Sequence, residues 1–216
     1  MNLIMFGPPG GGKGTYSSRI SEKYGIPHIA TGDIFRREVK RGGELGKKVE
    51  EYLDRGDLVP DEIVNEVVKK RLSESDCENG FVLDGYPRTL PQAKALDKIV
   101  DIDLVINLDV AEKVIIDRLS NRRICRDCGE IYNLKSMLSE KEGVCDKCGG
   151  ELYQRSDDKP EVIRKRLDTY EEDIRSIIEY YREKDLVVDI VAREEKPVKV
   201  MMQKIYAALE ENITDL

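Results

Sequence analysis

Within the nine residues Gly7-Pro8-Pro9-Gly10-Gly11-Gly12-Lys13-Gly14-Thr15, five are glycine. Gly7, four further residues and then Gly12-Lys13 is the spacing of a phosphate-binding loop. Backbone N–H groups can wrap a polyphosphate only where side chains are absent, and Lys13 adds a mobile cation for the outer phosphates. The usual Ser or Thr directly after the lysine is Gly14 here, and Thr15 follows one place later. A Gly/Pro turn that binds nothing is the bland alternative, but strand, loop and helix occur in the order that binding requires.

Cys125-Arg-Asp-Cys128 and Cys145-Asp-Lys-Cys148 form a second chemical spacing, two CxxC knuckles with sixteen residues between them. Paired knuckles at this distance suit one tetrahedral zinc ion. Four thiolates leave no open position on it, so the metal would be structural. The intervening residues are too polar to make a core, so the metal would supply this segment's folding energy. A redox pair and a nucleic-acid-binding ribbon are the rival readings. From Arg122 to Asp158 there are seven basic and eight acidic residues, which gives no basic patch for the ribbon. Cys77 stands alone and reads as a small hydrophobe.

Asp84 ends an apolar run, and an acid at a strand end beside a phosphate loop holds Mg²⁺, directly or through water. An N-cap or an ion pair is its other reading. Arg36, Arg88, Arg122, Arg123, Arg155 and Arg166 fall near segment boundaries. On a helical wheel Arg166 lies about 60° from the centre of its apolar stripe, where a cation either snorkels or faces a cleft. His28, the only histidine, reads as strand packing, and one histidine without a partner excludes a nucleophilic triad.

Apolar runs at 3–6, 28–30, 80–84, 104–108 and 186–191 read as five short strands. Helical stripes fill the intervals: Lys13 to Tyr24, Ile34 onward with Asp33 as its cap, Glu44 to Arg55, Asp61 to Leu72, a helix from Pro91, Ala111 to Arg122, Pro160 to about Lys184 and Pro197 to Leu209. This alternation predicts an α/β fold, a parallel five-stranded sheet with helices on both faces.

The 216 residues suffice for one domain with insertions. The net charge of −7 argues against a nucleic-acid or acidic-membrane partner. No 18-residue apolar run and no cleavable leader pattern is present, so a cytoplasmic protein is expected. Charged residues at 37% with only three glutamines lean toward a thermophile.

A phosphate loop alone does not choose a reaction. A hydrolase needs a group to position water, and a kinase acting on a hydroxyl needs a base. A kinase acting on another phosphate needs neither, because that acceptor is already largely ionised, its second pKa being about 6. It needs in-line positioning and many cations to bring two polyanions together. A chain rich in loop arginines and poor in bases fits that case.

Residues 7–15, Ala30-Thr31-Gly32-Asp33, Leu83-Asp84-Gly85-Tyr86-Pro87-Arg88-Thr89 and Gln92 together resemble the adenylate kinase family over essentially the whole chain. The cysteine segment is similar to the zinc-bearing LID of its long type. The resemblance implies reversible transfer from MgATP to AMP, giving two ADP. It implies a P-loop CORE (1–29, 60–120 and 160–216), a helical AMP-binding insertion (30–59) and a zinc-binding LID (121–159). Gly10, Gly11, Gly12, Lys13, Gly14 and Thr15 would hold ATP phosphates, with Arg122, the backbone of Ile131-Tyr132, and Lys196 beside ATP. Thr31, Arg36, Asp57, Leu58, Val59, Gly85, Tyr86, Pro87, Arg88 and Gln92 would form the AMP site. Arg155 and Arg166 would grip the transferring phosphates, and Asp157-Asp158 would be hinge acids. Asp57 stands where relatives carry lysine, so backbone contact alone is expected of it. Tyr86 replaces a commoner phenylalanine. ATP, AMP, Mg²⁺ and zinc are the implied partners of a monomer. A UMP- or CMP-specific kinase and an ATP-gated module that docks a partner through its zinc segment are the alternatives.

Overall fold

The structure, a computed structural model, describes residues 1–55, 57–158 and 160–213. Gly56 of the expected turn, Lys159 at the end of the cysteine segment and 214–216 of the expected CORE lie outside the described residues.

Strand β1 (Asn2–Phe6) is the middle of a five-stranded parallel sheet. It is flanked by β3 (Phe81–Asp84) and β4 (Leu104–Val110). The edges are β2 (His28–Ala30) and β8 (Val187–Ala192), giving the order β2-β3-β1-β4-β8. Side chains alternate across a strand, so a central strand covered on both faces must be apolar throughout. Leu3 and Met5 enter one core with Tyr16, Ile20, Ile106 and Ile205. Ile4 and Phe6 enter the other with Leu83, Val105, Leu96 and Tyr181. The first core is roofed by α1 (Lys13–Tyr24), α6 (Glu112–Ser120) and α8 (Val198–Asn212). The second is roofed by α4 (Asp61–Leu72), α5 (Leu90–Leu96) and the far end of α7 (Pro160–Arg182). Each fully buried Leu or Ile contributes about 1.5–3 kcal/mol, which fixes the strand ends against one another.

All five strands point the same way, so their carboxyl ends share one edge. Gly7, Thr31 and Gly85 follow β1, β2 and β3 there. Helices α2 (Thr31–Arg41) and α3 (Glu44–Arg55) are inserted after β2 and pack on each other.

Two expectations are corrected. Helix α2 starts at Thr31, with Ala30 at its N-cap, so Asp33 lies within the first turn. There it meets the positive end of the helix while its carboxylate serves arginines. Helix α6 ends at Ser120, and Arg122 opens strand β5 (Arg122–Cys125). With β6 (Ile131–Asn133) and β7 (Leu152–Tyr153) it forms a three-stranded antiparallel sheet, order β6-β5-β7. Strands of two to four residues are too short for alternation to declare itself. A 3-10 turn at Ser156–Asp158 leads to α7.

Candidate active site

The loop after β1 bends around its own lysine. Lys13 Nζ donates to the Gly7 carbonyl at 2.7 Å and the Pro8 carbonyl at 3.0 Å. Gly12, the N-cap of α1, has φ of 100°, and a Cβ there would lie 2.7 Å from the Tyr16 ring. Only glycine meets both demands. Thr15 follows in the first turn of α1, behind Gly14. Burial pushes the Lys13 ammonium down to about 8; Asp84 pulls it up, and Arg88, Arg166 and Arg122 press it down further.

Those three arginines come from three separate stretches of chain, and Arg155 and Arg36 come from two more. Arg88 follows β3, and its Nε donates to the Gly85 carbonyl at 2.9 Å. Arg166 comes from α7 and pairs with Asp157 at 3.0 Å. Arg122 of β5 is bound at two points by Asp158, at 2.8 and 2.5 Å. Arg155 reaches Asp33 at 3.2 Å, and Arg36 reaches the same oxygen at 2.5 Å. Burial lowers the pKa of Arg155 and of Arg166 to about 10, and neighbouring arginines add to both shifts. Burial also lowers that of Arg88. Cations that repel one another this strongly in low dielectric are matched to a polyanion. Lys13, Arg88 and Arg166 line one cavity with Gly7, Leu58 and Pro87, and Tyr170 and Ile174 supply an apolar wall. Arg166 therefore faces the cleft, which decides between its two readings.

Asp84 is partly buried at the end of β3. Burial alone would raise its pKa, but the His28 hydrogen bond and the Lys13 charge hold it below the ordinary carboxylate range. His28 is thus corrected: its Nε2 lies 3.3 Å from Asp84 Oδ2 and its Nδ1 lies 3.3 Å from Ser18 Oγ. A partly buried carboxylate facing the phosphate loop fits a cation brought by the phosphates.

On the other wall, Thr31 Oγ1 donates to the Gly85 carbonyl at 2.8 Å, tying α2 to the turn after β3. Gly85 has a φ of 78°, which favours glycine, and a Cβ there would press on Arg88 Nη2 at 2.9 Å and Thr31 Oγ1 at 3.2 Å. Tyr86 precedes a cis bond to Pro87 and is wholly buried, its hydroxyl donating to Asn65 Oδ1 at 2.8 Å. Gln92 Oε1 accepts from the Arg88 N–H at 2.7 Å. Val59 is buried behind Leu58. The Asp57 carboxylate accepts from Arg55 Nε at 3.1 Å and pairs with Lys165 of α7, so its side chain has work beyond the expected backbone contact.

The small sheet covers the loop. Ile131 Cδ1 would be 3.4 Å from a Cβ at Gly14. Tyr132 turns away, its hydroxyl 3.5 Å from Cys145 Sγ, so only its backbone is open to the cleft side. The four sulfurs of Cys125, Cys128, Cys145 and Cys148 lie within 4.8 Å of one another. Contacts of 3.4 Å (Cys125–Cys148) and 3.6 Å (Cys128–Cys145) approach the ~3.8 Å edge of a tetrahedron with ~2.3 Å zinc–sulfur bonds. The thiols fit zinc. Helices α2 and α3 meet this segment: Lys40 Nζ donates to the Arg126 carbonyl at 3.3 Å, and Ser156 Oγ to Asp54 Oδ1 at 3.3 Å.

Lys196 is not brought to the cavity; its Nζ pairs with Glu194 at 3.5 Å. Arg118 was missed. Its Nη1 donates to the Gly11 carbonyl at 3.1 Å while its Nε holds Glu195 Oε2 at 2.8 Å. In the sequence it reads only as a cation in the last turn of a helix, a common placement.

A family model described as adenylate kinase matches residues 5–186. The chain is 50% identical over 215 residues to an adenylate kinase of Archaeoglobus fulgidus, covering 97% of this chain and 98% of that one. It is 57% identical over 187 residues to an adenylate kinase of Thermosipho africanus (84% and 87%). It is 52% identical over 200 residues to one of Caldicellulosiruptor bescii (90% and 93%).

Proposed function

Because this chain belongs to the adenylate kinase family, its reaction is reversible phosphoryl transfer from ATP to AMP giving two ADP, and we propose how its residues divide the work. The observation that carries the reading is the convergence of Lys13, Arg88 and Arg166 on one cavity, with Arg122 and Arg155 close behind. A phosphate acceptor is already largely ionised and needs no base to deprotonate it, so a site built of cations suits it.

Gly10 to Thr15 hold the ATP phosphates through backbone N–H groups and the start of α1. Arg122 and the Ile131-Tyr132 backbone close over ATP from above. Thr31, Arg36, Asp57 to Val59, Gly85 to Arg88 and Gln92 hold AMP. Arg155 and Arg166 release their carboxylate partners Asp33 and Asp157 when phosphates arrive, and with Lys13 and Arg88 they offset the charge that spreads over the moving group. Mg²⁺ bound to ATP would supply further charge neutralisation, and Asp84 would hold it, directly or through water. The four cysteines would hold a structural zinc ion. Lys196, away from the cavity, would reach the adenine of ATP through its backbone only.

In this reading the chain divides into the CORE (1–29, 60–120, 160–216), the AMP insertion (30–59) and the LID (121–159). Closing both insertions over the cleft expels water that would otherwise take the phosphoryl group. A site built from one chain supports a monomer. No described helix is long and apolar enough to cross a membrane. The reading places the work in the cytoplasm, and the net charge of −7 argues against a nucleic-acid partner.

The test is ADP formation from MgATP with AMP, UMP, CMP or GMP in turn. Rapid ADP with AMP alone, and the reverse conversion of ADP, is expected. Rapid turnover with UMP or CMP instead would move the acceptor and overturn the AMP assignment.

A further inference from the structure

Gln92 sits in the first turns of α5, 2% exposed, beside Arg88. Its amide is held at both ends. Oε1 accepts from the Arg88 N–H at 2.7 Å, and Nε2 donates to Asp61 Oδ1 at 2.7 Å. Asp61 Oδ2 accepts from the Thr89 hydroxyl at 2.7 Å, and Thr89 Oγ1 accepts from the Gln92 N–H at 3.2 Å.

Every proton in this circuit is assigned by chemistry. The Arg88 and Gln92 N–H groups can only donate. The Thr89 oxygen is already accepting, so its own proton goes to Asp61. A carboxylate that takes two donors acts as an acceptor only. Turning the Gln92 amide by 180° would set its NH₂ against the Arg88 N–H and its oxygen against the carboxylate of Asp61. Two hydrogen bonds would become two repulsions. The circuit spends one N–H and one lone pair of the amide, and one of each is left.

We propose that Asp61 is a specificity-determining residue: it locks the Gln92 amide in one orientation, so that the acceptor base meets a donor and an acceptor in fixed order. This rests on the assignment of Gln92 to the AMP base. Adenine offers an N6 amino donor and an N1 acceptor, the pattern a carboxamide pairs with at two points. A 6-oxopurine such as hypoxanthine reverses both groups. A free amide would turn to suit either base, whereas a locked one accepts the first and opposes the second. Asp61 begins α4 directly after the stretch 57–60 that carries Leu58 into the cavity wall. The lock is therefore built on the same frame as the pocket and is in place before the base arrives.

The test compares AMP with IMP at saturating MgATP in the wild type, Asp61→Asn and Gln92→Leu. An asparagine at 61 has nearly the same shape but can also donate, so it gives the flipped amide a partner. The ratio of kcat/KM for AMP to that for IMP is expected to fall about ten-fold or more in Asp61→Asn, carried by the acceptor KM. It should fall in Gln92→Leu as well. If Gln92→Leu lowers the ratio and Asp61→Asn leaves it at the wild-type value, Gln92 reads the base and the lock is wrong. If Gln92→Leu leaves the ratio unmoved, the assignment of Gln92 has failed and takes the lock with it. Equal losses with AMP and IMP in Asp61→Asn would mean a structural role and overturn the proposal. Should Asp61→Asn not fold, Thr89→Val removes the other tether of Asp61. It must then lower the ratio by a smaller factor, or the lock is overturned.

Discussion

Arg122 and Asp158 are joined at two points, Nε to Oδ2 at 2.8 Å and Nη2 to Oδ1 at 2.5 Å, and the carboxylate is closed off from solvent. Arg166 stands 3.7 Å from the same carboxylate. One buried anion thus ties the small sheet to α7 and anchors two of the phosphate-facing arginines. Removing one partner of such a pair leaves the other charge buried and unpaired, which costs about 3 kcal/mol or more. Asp158→Ala is expected to lower unfolding free energy by that amount in urea titration, and to lower kcat as Arg122 and Arg166 lose their aim. A loss below about 1 kcal/mol, the range of an exposed pair, would show that the contact does not bear this weight.

Arg88 is held by its own turn and by the Gly85 carbonyl, with no carboxylate of the described residues within salt-bridge distance. Its charge is free for a ligand. Arg88→Ala should lower kcat by about a thousand-fold, the scale of losing a preorganised donor at a developing charge. ATP affinity, measured by calorimetry without AMP, should change little. Arg88→Lys should recover only part of the rate, because an ammonium lacks the planar fork. Near-wild-type turnover in Arg88→Ala would remove this residue from the mechanism.

Sequence reading was most informative where one strong constraint acted alone. The run Leu3 to Phe6 had to be a buried strand, and the glycines after it had to be a turn with close backbone contact. Helix α1 fell between Lys13 and Tyr24 as expected, because the loop sets its start and Gly25 its end. What stayed hidden depends on distant partners. The role of His28 appears only when β2 is laid beside β3, which brings Asp84 to its ring. Arg118 matters because the fold puts the end of α6 under the Gly11 carbonyl, 107 residues away in sequence. The sheet of β5, β6 and β7 has too few residues to show a period, and its buried cysteines pack with Tyr132 only once the fold brings the two knuckles together.

The cysteine cluster supplies much of the core of that small sheet, where the buried Cys125 and Cys145 pack with Tyr132 and Leu152. A segment with so little apolar surface is expected to depend on a bound metal to stay folded. Cys148→Ser, or chelation, should lower the thermal midpoint of the protein strongly while leaving most low-temperature turnover. Gly150 gives a gentler test: a Cβ there would lie 2.8 Å from Cys125 Sγ, so Gly150→Ala should weaken zinc retention in a chelator competition. Turnover lost in folded, zinc-free protein would contradict a purely structural ion.

Lys13 is expected to carry the pH dependence of nucleotide binding. Burial and the surrounding arginines lower its pKa to about 8 in the free protein, against Asp84. A polyphosphate placed in the loop opposes that shift, because a nearby anion favours the charged ammonium. The bound pKa must therefore be higher than the free one. Between the two values the free protein has lost the proton and the complex has regained it. Binding of ATP at pH 9 should accordingly take up a proton, and affinity should decline as pH rises through about 8, once ATP itself is fully ionised. Calorimetry of ATP binding at pH 9 in two buffers of different ionisation enthalpy reads the proton directly. At pH 7, where Lys13 is charged in both states, the uptake due to this residue should vanish. Lys13→Met should abolish the uptake at pH 9 as well as weaken binding. Equal proton uptake in Lys13→Met and the wild type would assign the titration to another group and leave the lysine charged throughout.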